Sequence, residues 1–409
     1  MKENQEVIEI NNCRLCDSKK IKTIWSFGLS PIANRYKNQE DLDKEEPQFP
    51  LEVFRCTECG SVQLKHEVNS NILFYNYSYE SPPNLNKHFE EYANHTFKLL
   101  ELKRNDLVIG IGGNIGQLEK HYQNLNCKII NIESAVNIAE KSRNNGINTI
   151  NEFFNIKLAK KIVEENGFAK LITGNNVFAH LKNINEVVEG IRILLDNDGY
   201  FVFECCHLLK MLSNKDLGQV YFEHLFYHHI FSLIRFFNKH DFELFHVEHN
   251  QIQMGSFRAY VRRKGNNNLV FLDNTVEKVL EDEEKAGLNN DFVYESFIND
   301  INKTKAQLLN SLKGLKSDSI CLYGVPAKVA ILIKYFELEP FIKFAVEESN
   351  LKINKFIPGT RIQIKSREDW IKENPKYTIL GAYNFEKDIK SKNKEYNGWW
   401  IHPLSLEFS

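Results

Sequence analysis

Residues 106–122 read DLVIGIGGNIGQLEKHY. A run of branched apolar side chains, of strand length, stops at Gly112 and Gly113, and a mostly polar segment follows Gly116. That order predicts a buried strand, a glycine loop and a helix. The alternation continues downstream. CKIINIESAVNIAEKSRNNG (127–146) reads as a strand ending at Glu133 and then a helix. AKLITGNNVFAHL (169–181) reads as a strand ending in polar residues, with a helix expected across 183–195, and GYFVFECC (199–206) is the next strand. Strands alternating with helices at this spacing predict an α/β fold, a parallel sheet with helices on both faces. Around it, HFEEYANHTFKLLEL (88–102) and IFSLIRFFNKH (230–240) read as helices, and FELFHVEH and GSFRAYVRRKG as antiparallel strands.

The pattern restarts later. SICLYGVPAKVAILIKYF (319–336) is a strand, a loop at Gly324 and a helix; FIKFAVEES and KYTILGAYNF supply further strands. This predicts a second, smaller nucleotide-fold-like domain. A charged, Asn-rich stretch from Gly265 to about Asn290 reads as a linker leading into a helix. The expected domains are therefore 1–85, 86–268 and 269–409.

Glycines at the end of the first strand let a ligand approach the backbone and leave helix N–H groups free. The dinucleotide pattern G-x-G-x-x-G fails at Ile115, and the Gly-Lys-Ser/Thr of a P-loop is absent. Glu133 follows about twenty residues after the loop, where a carboxylate can accept both ribose hydroxyls. Loop and acid together fit NAD or S-adenosylmethionine; a solvent-facing Glu133 is the plainer reading.

Four of the eight cysteines form two pairs, CRLC (Cys13, Cys16) and CTEC (Cys56, Cys59). Two CxxC turns supply the tetrahedral sulfur set that zinc prefers, with no ligand position left open for catalysis. Asp17 and Gly60 suit knuckle-like turns, and FGLSPIANRY (27–36) is expected as a loop between them. One CxxC would suffice for redox chemistry, and neither lies between an evident strand and a helix. Cys127, Cys205, Cys206 and Cys321 lie in or beside apolar runs and read as core residues.

The formal net charge of −2 offers no basic surplus for nucleic acid or membrane. MKENQEVIEI lacks the apolar core of a signal peptide, and no apolar run reaches membrane-span length. The expectation is a soluble, cytoplasmic protein.

YFEHLFYHH (221–229) concentrates titratable side chains. A zinc site here is disfavoured because Glu223 and His224 are neighbours, and the His224–His228 pair lacks the internal glutamate of a metalloprotease. His228 and His229 are left unassigned. Acid–base work and a surface patch remain open. His180 closes NNVFAH (175–180), at the carboxyl edge of the sheet where ligands bind.

The cysteine pairs, the glycine loop, NIESAVNIAEKSRNNGINTINEFF, NNVFAH, YFEH and GSFRAYV occur in one order, with LSPIANRY, YGVPAK, FIPGT and WWIHP around them. In this the chain resembles the nucleotide-sugar C-methyltransferases, which methylate C3 of thymidine-diphosphate-linked 4-keto-deoxysugars. The resemblance spans nearly the whole chain. It implies an N-terminal zinc domain, a central Rossmann-like S-adenosylmethionine fold and a C-terminal Rossmann-like domain, in a monomer. It implies that Gly112, Gly113, Asn114, Gly116, Glu133 and Asn175 hold the cofactor. It casts His224 as the base for the C3 proton, Glu223 as orienting it or bonding the sugar, and Tyr221 as steadying the enolate. His180 and Tyr77 join this catalytic group. Tyr79, Lys328 and Arg258 fall on substrate-binding positions; a solvent-facing Lys328 is the plainer reading.

Two departures stand out. Relatives' glycine loops run acid–hydrophobic–G–S–N–D–G, and here Gly110 occupies the acid position, with Gly113 and Ile115 replacing the serine and aspartate. The missing acid normally helps to hold the methionine ammonium. The H-G-G-S-L-R segment reads Gln253-Met254-Gly255-Ser256-Phe257-Arg258. The alternative to an active enzyme is therefore a catalytically silent homologue that binds a nucleotide sugar or a partner.

Overall fold

The structure is a computed structural model describing residues 6–73, 80–266, 274–316 and 319–409. The first segment carries β1 (Val7–Glu9), β2 (Ile21–Pro31), β3 (Gln48–Cys56), β4 (Val62–Leu64), β5 (His66–Val68) and α1 (Ser70–Leu73). The middle one runs α2 (Asn86–Leu99), β6 (Leu107–Ile111), α3 (Gln117–Asn124), β7 (Lys128–Ile132), α4 (Val136–Asn144), β8 (Thr149–Ile150), α5 (Ile156–Asn166), β9 (Ala169–Thr173), α6 (Ile184–Leu194), β10 (Leu195–Cys206), α7 (Leu208–Ser213), β11 (Phe226–Tyr227), α8 (Ile230–Lys239), β12 (Phe242–Asn250) and β13 (Ser256–Arg263). The last carries α9 (Thr275–Lys285), α10 (Asp291–Lys313), β14 (Ile320–Tyr323), α11 (Lys328–Phe336), β15 (Phe344–Val346), β16 (Ile364–Lys365), α12 (Arg367–Glu373), β17 (Tyr377–Leu380), α13 (Glu386–Lys392) and β18 (Trp399–Ile401).

The central sheet has the order β12-β13-β10-β9-β6-β7-β8. Its β10, β9, β6, β7 and β8 are parallel, and β13 runs antiparallel to both β10 and β12. Side chains alternate across β6. Val108 meets Tyr92 of α2 and Tyr122 of α3 in one core, while Ile109 and Ile111 join α5, α6 and α8 in the other. Helices thus cover both faces, which is why these strands are apolar throughout. The last segment repeats the scheme with the wholly parallel sheet β16-β15-β14-β17-β18.

The first segment's sheet has the order β11-β4-β3-β2. Its edge strand, β11, comes from the middle segment: Phe226 pairs with Gln63 and Tyr227 with Val62.

Two expectations are corrected. The segment 265–290 is not a plain linker, because α9 lies within it and packs against β12 and α8. Nor is FGLSPIANRY a loop throughout, since β2 extends to Pro31 with its register shifting between Ser26 and Leu29, around Gly28 at φ 71°. No helix among the described residues is long and apolar enough to cross a membrane.

Candidate active site

The loop after β9 is anchored by Phe178, buried against Phe203 at 4.6 Å and stacked on Phe237 at 5.8 Å. Two residues on, His180 leaves this apolar base half-buried, and its Nδ1 lies 2.6 Å from the Glu223 carbonyl. Leu225 continues the stitching: its N–H donates to Ala179 O at 2.8 Å and its carbonyl accepts from Leu64 N at 2.9 Å. The segment 221–227 is therefore held between the central sheet and the zinc-bearing sheet.

Within it, His224 Nδ1 faces the Gln219 carbonyl at 2.8 Å. A carbonyl only accepts, so Nδ1 carries the proton and Nε2 is the bare nitrogen. The Tyr221 hydroxyl donates to that Nε2 at 2.9 Å. Burial, then the neighbouring His180 with ring centroids 4.8 Å apart, holds the His224 pKa down to about 3. The imidazole is accordingly neutral at working pH. His180 is held down to about 4 by burial, despite its backbone bonds to Glu223 and Asn176.

Glu223 is buried, and burial pushes its carboxyl up to about 7 against the opposing bond from Asn34 Nδ2, 2.6 Å from Oε1. Asn34 belongs to the first segment, and so does Tyr36, whose hydroxyl donates to Val325 O in the last segment at 3.0 Å. All three segments meet at this cluster. Asn34 lies in the quoted LSPIANRY motif, but nothing in the order of residues shows its amide reaching a carboxylate 189 positions away. The tautomer-setting Gln219 carbonyl was equally illegible, because any residue type supplies one.

His228 and His229 are fully buried and serve the fold. His228 stacks on Phe226, with its Nε2 3.3 Å from Phe178 O. His229 Nε2 lies 3.0 Å from Gly60 O and its Nδ1 3.4 Å from Glu283. Lys328, at the first turn of α11, is buried beside Asp216 at 3.7 Å and over the Tyr383 ring at 4.0 Å. Arg258 lies elsewhere, bound by Glu204 and Glu248 and 3.7 Å over the Tyr92 ring. Tyr77 and Tyr79 lie outside the described residues.

Across the carboxyl edge, the glycine loop lines a cavity together with Thr173 and Asn175. Gly112 has φ 63° and Gly116 φ 78°, backbone that side-chain-bearing residues seldom adopt. A Cβ at Gly112 would come 2.7 Å from Val177. The Glu133 carboxylate accepts from Asn114 N at 3.1 Å and Ala135 N at 2.9 Å, which seats it against the loop, while burial raises its pKa. Asn175 Oδ1 accepts from Glu204 N. Ile115 turns its carbonyl to Asn145, 3.0 Å away. Open glycine backbone, a carboxylate after the second strand and polar groups at the strand ends suit an adenosyl cofactor.

The four cysteine sulfurs lie within 4.8 Å of one another, Cys13–Cys59 and Cys16–Cys56 at 3.6 Å. A tetrahedral thiolate site with Zn–S near 2.3 Å has sulfur–sulfur edges of about 3.8 Å, so the set fits zinc. Each turn is built alike: Asp17 N donates to Cys13 O and Gly60 N to Cys56 O, with both turn residues at positive φ. Of the remaining cysteines, Cys127, Cys205 and Cys321 are buried and Cys206 is partly so.

Comparison with known proteins agrees with this layout. Residues 13–74 match a zinc binding domain, 85–247 a methyltransferase domain, and 251–404 the C-methyltransferase C-terminal domain. C-methyltransferase NovU of Streptomyces niveus is 27% identical over 409 residues, covering 98% of this chain and 97% of its own. Among solved structures, an S-adenosylmethionine-dependent methyltransferase from Clostridium acetobutylicum is 10% identical, covering 48% of this chain and 96% of its own with a TM-score of 0.36. The CcbJ methyltransferase from Streptomyces caelestis is 15% identical, covering 47% and 95% with a TM-score of 0.35.

Fold, loop and cysteine cluster define an S-adenosylmethionine-dependent methyltransferase with a structural zinc. Taken in order along the chain, the three matches are those of a C-methyltransferase with a zinc-binding domain, and the likeness to NovU runs over nearly the whole length.

Proposed function

We propose that the chain methylates C3 of a thymidine-diphosphate-linked 4-keto-deoxysugar, with His224 as the base. The acceptor class follows from the motifs LSPIANRY, YFEH and YGVPAK, in which the chain resembles nucleotide-sugar C-methyltransferases. A ketone acidifies the neighbouring C–H, but the enolate still needs a base at the proton and a donor at the oxygen. S-adenosylmethionine, when bound, supplies the methyl group. His224 Nε2 takes the C3 proton, which makes that carbon nucleophilic. The Tyr221 hydroxyl turns from Nε2 to the enolate oxygen. Glu223, held by Asn34, bonds a sugar hydroxyl; Lys328 is left out of the diphosphate site because it is buried against Asp216 and Tyr383. Arg258 is left out of the sugar site because two carboxylates already neutralise it.

The observation that carries this reading is the tautomer of His224, whose Nδ1–H is spent on Gln219 O and whose Nε2 is left as a neutral acceptor. The test supplies purified protein with methyl-labelled cofactor and a thymidine-diphosphate 4-keto-6-deoxysugar. Label at C3 of the sugar is the expected result; label on an oxygen or nitrogen, or none, contradicts it.

A further inference from the structure

The loss of the acid at position 110 leaves the loop with no carboxylate at its usual place, yet the space is not empty. Gly110 projects from β6 toward the face covered by α2 and α3. A Cβ built there would sit 1.9 Å from Oε1 of Glu119, on the first turn of α3, and one at Gly113 would sit 2.6 Å from the same atom. Glu119 thus occupies the volume that a side chain at 110 would fill. It is only 1% exposed, lines the cavity in front of the loop, and its Oε2 has no hydrogen-bond partner among the described residues.

Its own backbone N–H donates to the carboxylate, and the side chains nearest to it turn acceptors toward the loop. The Gly113 Cβ position is also 2.3 Å from Asn131 Oδ1, a second buried oxygen with no partner among the described residues. That amide's orientation is fixed, since its Nδ2 donates to Asn114 O and Ser142 Oγ. Gln117, lining the same cavity as Glu119, has an amide oxygen that is also without a partner among the described residues. Burial pushes the Glu119 carboxyl up to about 7, and a cation beside it would offset that cost. An unmatched buried acceptor is costly, and two lining one small cavity, with Asn131 Oδ1 behind Gly113, suit a ligand that only donates. An alkylammonium has three N–H donors and no acceptor.

We infer that Glu119, with Asn131 and Gln117, forms the seat for the methionine ammonium of the cofactor, the carboxylate having moved from β6 to α3. The inference rests on S-adenosylmethionine as cofactor and is independent of the acceptor sugar and of His224.

Calorimetry on the full zinc-loaded chain tests it with two ligands, S-adenosylhomocysteine and 5′-methylthioadenosine, which lacks the amino-acid end. Glu119→Gln should weaken S-adenosylhomocysteine binding about tenfold or more, the worth of a charge-assisted hydrogen bond, and leave methylthioadenosine unchanged. The double variant Gly110→Asp/Glu119→Ala, which returns a carboxylate to the strand, should recover most of that loss. Equal weakening of both ligands would make Glu119 merely structural and overturn the assignment, as would unchanged affinity for both. If the wild type bound neither ligand, the cofactor itself would be at fault, a failure the methylthioadenosine arm reveals separately.

Discussion

His224 can act as a base only while Nε2 is free of a proton, and two neighbours enforce that. Gln219 O accepts the Nδ1–H hydrogen bond, which keeps the proton on Nδ1, and burial disfavours the charged ring. His224→Asn is expected to lower kcat by about 10²- to 10⁴-fold, the usual worth of a general base, with KM for the nucleotide sugar little changed. Steady-state kinetics on both proteins decides it; near-normal kcat would move the base elsewhere. Tyr221→Phe removes one hydroxyl without opening a cavity and should cost about tenfold in kcat, in line with one hydrogen bond. The quartet Tyr221–His224 was legible because its members are consecutive. Asn34 and Glu119 were not, since one acts across 189 positions and the other takes its meaning from a glycine nine residues before it on a different element.

At the scale of elements, α9 explains both an error and a constraint. Val276, Val279 and Leu280 begin an apolar face, but the next inward position holds Glu283, and the helical period dissolves into what reads as a charged linker. Glu283 is 2% exposed. It caps α8 by accepting from Ile230 N at 2.6 Å and Phe231 N at 3.0 Å, and it also faces His207 Nε2 at 2.8 Å. Burial works against the charge, but the bonds from His207 and His229 hold this carboxyl well below the ordinary range. Glu283→Gln should therefore destabilise the chain at pH 7 by on the order of 2 kcal/mol. A depressed carboxyl contributes stability above its unfolded pKa of about 4.3 and loses it as pH falls toward the folded value. The gap between wild type and variant, read as urea midpoints, should then narrow below about pH 4. A gap that widens in acid would contradict the assignment. The strands of the central sheet posed no such difficulty, because helices on both faces make them apolar from end to end.

At the scale of the whole molecule, the cysteine cluster lies far from His224 in sequence but one strand away in space. β11 follows the His224 quartet directly and completes the cysteine-bearing sheet, and Leu225 ties β4 to the His180 loop. No periodicity in the chain announces that a two-residue strand of one segment will edge the sheet of another. Structural zinc contributes folding energy directly, so its loss should loosen this clamp. Chelation, or Cys56→Ser, is expected to lower both the melting temperature and kcat, with zinc restoring the chelated protein but not the variant. Full activity in protein shown by elemental analysis to be zinc-free would contradict that coupling. At the same scale, the three segments converge through Asn34 on Glu223 and through Tyr36 on Val325, so the proposed acceptor site lies where all three meet.

The central claim is that His224 takes a proton from the carbon beside a ketone, and proton exchange reports on it without methyl transfer. Thymidine-diphosphate 4-keto-6-deoxysugar is incubated in heavy water with the protein and S-adenosylhomocysteine, and the C3 proton is followed by NMR. Wild type should replace it with deuterium, while His224→Asn, binding the same sugar, should do so no faster than buffer. Equal exchange by the two proteins, or none by wild type, would contradict the account.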